Sequence, residues 1–164
     1  MTIQHPSRAL PRAVAIFVSR QRIAHLATAA RSGKPHVVPL CFALAGANLY
    51  SVVDRKPKRT APDRLRRVRN ILDNPNVAVV VDTYSEDWSR LGFVILEGLA
   101  RILDAGPEHA RALRLLRRKY PQYRSMDLKD RPMIVVKIRR TVHWGNLLTR
   151  PRVEIEQHST RRES

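Results

Sequence analysis

The chain has a single cysteine, Cys41, so it cannot close an intramolecular disulfide. A small secreted domain held together by a disulfide framework is therefore excluded. Aromatic residues make up only 5% of the sequence, and no basic strand studded with aromatics offers the stacking platform that a nucleic-acid strand requires. No apolar run approaches the roughly 20 residues that span a bilayer. Met1 to Arg12 also lacks a continuous apolar segment ahead of a small-residue cleavage site. Both features lead us to expect a cytoplasmic protein with no membrane partner. Paired cysteines at zinc-binding spacing, H-E-x-x-H, G-x-S-x-G and G-x-G-x-x-G are all missing, so we expect no metal site and single out no catalytic side chain. Any chemistry then falls to a bound cofactor, with the protein supplying position and electrostatics.

Negative charge is scarce as well: 14 Asp and Glu stand against 31 Lys and Arg, a formal net charge of +17. Such an excess attracts anions, whether nucleic acid, anionic lipid or a phosphorylated small molecule. The cations crowd into Arg55 to Arg69, Arg111 to Lys119, Lys137 to Arg140 and Arg150 to Arg162, so no one segment holds them. With 43% hydrophobic and 27% charged residues over 164 positions, the chain has enough apolar side chains for one core. We expect one cofactor-binding domain over residues 1–148 and a polar, basic tail over 149–164, for which disorder is the expectation.

Apolar positions Val14, Ile16, Phe17 and Val18 predict a helix within Arg8 to Arg20, with Pro11 in its first turn. Ile23–Ala29, His36–Leu44 and Leu49–Val53 read as three strands of a meander, separated by Arg31-Ser32-Gly33-Lys34-Pro35 and Gly46-Ala47-Asn48. Asp63 is placed to cap a helix from Arg64 to Leu72, whose apolar face is Leu65, Val68, Ile71 and Leu72. Val77–Val81 and Phe93–Leu103 follow as strands, with a bulge expected at Glu97-Gly98. Pro107 to Tyr120 has helical period, and Met133–Ile138 is the last strand. Helices inserted among six strands, rather than alternating with them, predict a mainly β fold with an antiparallel barrel. Cys41 reads as a small core residue in a buried strand.

The order of Gly33-Lys34-Pro35-His36-Val37-Val38-Pro39, Leu49-Tyr50-Ser51-Val52-Val53, Arg67-Val68-Arg69-Asn70-Ile71 and Asn74-Pro75-Asn76-Val77-Ala78-Val79 resembles the pyridoxamine 5′-phosphate oxidase-like proteins. The resemblance covers roughly Arg8 to Gly145. Glu86-Asp87-Trp88 and His143-Trp144-Gly145 resemble the branch that uses the deazaflavin coenzyme F420. The resemblance implies a six-stranded antiparallel split β-barrel of the FMN-binding, flavin-reductase type, working as a homodimer. It also implies an oxidoreductase that passes a hydride between F420 and a small organic substrate, with FMN as the alternative cofactor and a non-catalytic flavin carrier as the alternative role.

The family's phosphate-holding cations map onto Arg67 and Arg69, with Asn70 beside them and Lys58 assisting from the loop Asp54 to Pro62. His36, Val38 and Pro39, with Ser51, Val52 and Val53, match positions that line the isoalloxazine-like ring. Plain core packing is the competing reading for the three valines, a solvated face for the cations, and simple exposure for His36. Trp88, among charged neighbours, is placed to cap a ring or a second subunit, and Trp144 is the candidate at a subunit interface. A basic nucleic-acid-binding protein is the alternative of another class, although no element for specific base recognition stands out.

Overall fold

In the computed structural model, residues 10–54 and 65–147 are described in full, with the backbone of residues 2–4. The elements in chain order are β1 (Thr2–Gln4), α1 (Arg12–Arg20), β2 (Ala24–Ala29), β3 (Pro35–Leu40), β4 (Ala43–Ala45), β5 (Asn48–Val52), α2 (Arg66–Asp73), β6 (Asn76–Thr83), β7 (Gly92–Leu103), α3 (Pro107–Lys119) and β8 (Met133–Gly145). Single-turn 3-10 segments lie at Trp88–Arg90 and Pro121–Arg124. None of these helices is long and apolar enough to cross a membrane.

The strands form one antiparallel sheet in the order β3-β2-β6-β7-β8-β5-β4, with β1 paired to β8. The fold is thus mostly β, as expected, but it has more strands than the six anticipated. The two short ones account for the difference: β4 follows β3 after a break at Cys41 and Phe42, and β1 is only three residues long. A second correction concerns the meander. β2 and β3 do pair, but β5 pairs with β8 and β4 and has no pairing with β3. Short connections favoured neighbouring strands, whereas the long β8 offers β5 a complete antiparallel partner from Asn48↔Lys137 to Val52↔Met133.

The sheet curls round a core that includes Leu26, Val79, Leu96 and Val136, all fully buried. Each such side chain gains about 1.5–3 kcal/mol from leaving water. The alternation along β6, with Val77, Val79 and Val81 buried and Ala78 and Val80 less so, is what a sheet with one inner face demands. Helix α2 turns Val68 and Ile71 into the same core, but the expected fourth member of its apolar face, Leu72, is 68% exposed at the helix end. Its N-cap is Leu65, which makes no side-chain cap, and Asp63 lies outside the described residues. Helix α3 buries Ala112, Leu113 and Leu116 against Tyr50, Val52 and Val135 in a second cluster.

The bulge expected at Glu97-Gly98 is present. Glu97 pairs with Arg140 and Gly98 with Ile138, so Arg139 is the extra residue on β8. Gly98 is required there, because an added Cβ would collide with the Lys137 carbonyl oxygen.

Candidate functional site

Among the described residues the two end strands of the curled sheet, β3 and β4, do not pair with each other. Val38, Pro39 and Leu40 of β3 face Ser51 and Val52 of β5 across a slot of about 130 Å3, closed by Cys41, Asp54, Arg67 and Tyr123. Strand β3 and the β5 end supply backbone and small side chains, α2 delivers Arg67, and the 3-10 turn after α3 delivers Tyr123. Tyr123 is buried, and its hydroxyl donates to the Asp54 carboxylate at 3.2 Å. Burial, and then the Asp54 charge, push the Tyr123 hydroxyl well above the ordinary phenol range, so it stays a donor. Burial tends to lower the Arg67 pKa while Asp54 opposes this. An arginine remains cationic under such a shift.

Around that slot Arg67 is not alone. The His36 imidazole is held below its ordinary pKa by burial and then by the positive charges of Arg66 and Arg67, so the three stand within electrostatic reach of one another. The end of β5 is tied down on its other side: the Val53 N–H donates to the Pro132 carbonyl at 2.8 Å, and Arg131 Nε donates to the Val53 carbonyl at 3.1 Å.

Of the residues singled out in the sequence, Val38, Pro39, Ser51, Val52 and Arg67 meet in the slot. His36 is half-buried on β3 beside it, and Val53 is buried in the main core. Arg69 is exposed, because two helical residues rotate it to the far side of α2 from Arg67. Asn70 is buried, and its Nδ2 donates to Thr28 Oγ1 at 3.0 Å, tying α2 to β2. Lys58 lies outside the described residues.

Both tryptophans are exposed. Trp88 sits in a turn capped by Asp87, whose carboxylate accepts from the Ser89 N–H at 3.1 Å and from Ser89 Oγ at 2.6 Å; Trp144 stacks on Phe93 with centroids 6.0 Å apart. Cys41, expected in the core, is instead a half-buried wall of the slot, since the chain breaks from β3 to β4 at that point. Sequence reasoning missed Tyr123 and Asp54. The only signal for Tyr123 was Pro121, which ends α3 and swings the next aromatic back under the strands.

A larger apolar trough of about 560 Å3 lies elsewhere, on the outer sheet face over Ala27, Ala29, Ala78, Gly98 and Leu99, bordered by Arg139 and Arg140. Arg140 there is paired with Glu97 and Arg139 is exposed, whereas the smaller slot brings Arg67, Asp54 and a buried tyrosine hydroxyl together, which makes it the better chemical candidate.

A curled antiparallel sheet open between two edges, with a helix-borne cation in the opening, is a split β-barrel. The chain belongs to the pyridoxamine 5′-phosphate oxidase family, whose model matches residues 10–145. No curated protein matches the sequence. Among solved structures, the conserved hypothetical protein Rv2991 of Mycobacterium tuberculosis is 20% identical with a TM-score of 0.68, covering 93% of this chain and 96% of that one. An FAD-binding protein from Mesorhizobium loti is 21% identical, TM-score 0.60, with 87% and 97% covered. HutZ, the heme storage protein from Vibrio cholerae, is 12% identical, TM-score 0.61, with 84% and 94% covered. At these identities the likeness is one of fold.

Proposed function

We propose that the protein is a homodimeric oxidoreductase that uses coenzyme F420, with FMN as the alternative, to move a hydride to or from a small organic substrate. The observation that carries this reading is the convergence of Val38, Pro39, Ser51, Val52 and Arg67 on one slot between the open edge at β3 and the end of β5 beyond its pairing with β4. A flavin or deazaflavin needs a flat apolar wall, a few directed hydrogen bonds and a cation for its phosphate, and those residue types are what the slot presents. Arg67, with Arg66 and His36 close by, would hold the phosphate. The β3 and β5 edges would flank the ring, and Ser51 and the buried Tyr123 hydroxyl are the polar groups beside it. When bound, the cofactor would supply the hydride chemistry, and the chain would fix its position and shield one face from water.

The fit is partial within one chain. A cavity of about 130 Å3 is below the roughly 300–1,000 Å3 of typical ligand sites, so a second copy would complete the site. The exposed Trp144, with Phe93 stacked on it, is the surface we assign to that contact. Trp88, 74% exposed at the same end of β7, would cap the ring or the neighbouring subunit. A heme reading, prompted by the heme storage protein of the same fold, has less support here, because no histidine among the described residues lines the slot.

The deciding experiment is the absorbance spectrum of the purified full chain after incubation with F420 or FMN and removal of free cofactor. Retention of either spectrum at one equivalent per chain supports the reading. Retention of neither removes it.

A further inference from the structure

We infer that the outward face of α3 is a docking surface for the phosphate backbone of a nucleic-acid duplex, independent of the cofactor slot. The helix turns Ala112, Leu113 and Leu116 into the second core cluster. Arg111, Arg114 and Arg118 are exposed, and at 100° per residue they fall within about 60° of one another on the face opposite those buried residues. They form a straight stripe about 10 Å long on a rigid element held at its C-terminal end. There Arg22 Nη1 donates to the Lys119 carbonyl at 2.7 Å, and the Tyr120 hydroxyl donates to the Phe42 carbonyl at 2.9 Å.

Among the described residues no acid pairs with Arg114 or Arg118 of the stripe; the ion pairs are His25–Asp82, Arg101–Glu108 and Arg140–Glu97. Arg111 feels Glu108, but that carboxylate already accepts from Arg101 and from the Tyr50 hydroxyl. Glu108 is the one acid from Pro107 to Ser125, and Arg124 adds a further exposed cation just past the helix. Arg117, by contrast, spends its guanidinium on the Tyr123 and Met126 carbonyls and is structural.

Three features favour a duplex backbone over other polyanions. All the exposed cations of the helix are arginines, whose planar fork matches phosphate oxygens in two-point contacts. Duplex DNA carries one charge per about 1.7 Å of axis, so 10 Å of it presents about six charges with no demand on register. An anionic membrane would instead be bound by a helix that also inserts apolar side chains. In α3 the large apolar side chains are committed to the core, leaving only the half-buried Leu115 and the small exposed Ala110 near the stripe. Binding would be to backbone and indifferent to sequence, since nothing on this face is placed to read bases.

The test is fluorescence anisotropy of a labelled 30-base-pair duplex with the full chain between 50 and 200 mM salt. Three proteins are compared: wild type, Arg111→Gln/Arg114→Gln/Arg118→Gln, and the charge-matched control Arg12→Gln/Lys34→Gln/Lys137→Gln, whose sites are all exposed elsewhere. Each phosphate contact contributes about −0.9 to the slope of log affinity against log salt, so the α3 variant should lose about 2 to 3 from that slope while the control keeps it. Equal losses in both variants would show a general effect of net charge and overturn the proposal. So would tighter binding of the wild type to phosphatidylserine vesicles than to the duplex. Cofactor retention, measured separately on each variant, should be unchanged, so failure here and failure of the oxidoreductase reading are distinct. Melting of each variant by circular dichroism confirms that a lost slope is not lost fold; should the triple variant unfold, Arg114→Gln/Arg118→Gln is read instead, with an expected loss of about 2.

Discussion

The ammonium of Lys119 lies 3.7 Å from the centre of the Phe42 ring and finds no hydrogen-bond partner among the described residues. Phe42 is itself fully buried, and the Tyr120 hydroxyl donates to its carbonyl at 2.9 Å. The contact with the ring face offsets part of the cost of burying a cation, yet burial, and then the nearby Arg22 charge, still pull the Lys119 pKa down to about 8. The group is therefore harder to protonate in the folded chain than in the unfolded one. Between about pH 8 and 10.5 the unfolded state binds the extra proton, so this site's contribution to stability rises with pH across that window. Urea unfolding at pH 7.5, 8.5 and 9.5 should show Lys119→Met most favoured relative to wild type at the lowest pH, with the gap closing upward. A gap that is constant with pH would mean that Lys119 is not titrating there.

Asn70 is a structural residue in this reading, although the family pattern placed it beside the phosphate-binding cations. Its donation to Thr28 Oγ1 at 3.0 Å joins α2 to β2 inside the core. Asn70→Ala leaves the Thr28 hydroxyl short of a donor and should cost about 1–3 kcal/mol in chemical denaturation. Thr28→Val in the same chain should then cost less than it does alone, because the two groups share one hydrogen bond. Additive losses would show that the bond is not a coupled pair.

Arg67 and Arg69 are two residues apart on α2 and point to opposite sides of the slot wall. Arg67→Ala should weaken F420 or FMN binding by roughly tenfold or more, since a charged hydrogen bond is worth about 1.5–3 kcal/mol. Arg69→Ala should leave the affinity within about twofold, because exposed surface charges contribute little. Fluorescence quenching titrations compare them directly. The same titration on Lys58→Ala, with a similar loss expected, tests whether the loop between β5 and α2 shares the phosphate.

Trp144 pairs with Phe93 across β7 and β8 and is 47% exposed, so it is not an ordinary core tryptophan of the single chain. Trp144→Ala should shift the light-scattering mass toward monomer and weaken cofactor binding together, if one surface serves both roles. The intrachain stack with Phe93 accounts for only about 0.5–1.5 kcal/mol, so the fold should survive the change. A dimeric variant with normal affinity would place the interface elsewhere.

What the sequence by itself determined is local. Runs such as Val77–Val81 and Met133–Ile138 could be little but strands, because β-branched side chains crowd a helix and suit a pleated surface. Pro107 and Pro121 bracket α3 for equally local reasons, and the bulge at Gly98 was legible from the glycine in an otherwise apolar strand. The residues of β3 and β5 that line the slot could be named from the family pattern, but their meeting could not be derived from neighbouring turns, which suggested a simple meander. Only the tertiary structure places β3 at one end of the sheet path and β5 next to last at the other, and lets curling bring Val38–Leu40 opposite Ser51 and Val52, which lie beyond the β4 pairing. Tyr123 and Asp54 belong to that same decision. They lie 69 positions apart, and no periodicity connects residues whose contact depends on where α3 packs. The separation of Arg67 from Arg69, and the outward stripe on α3, follow from helical rotation, but which side faced the core was set by the sheet it covers.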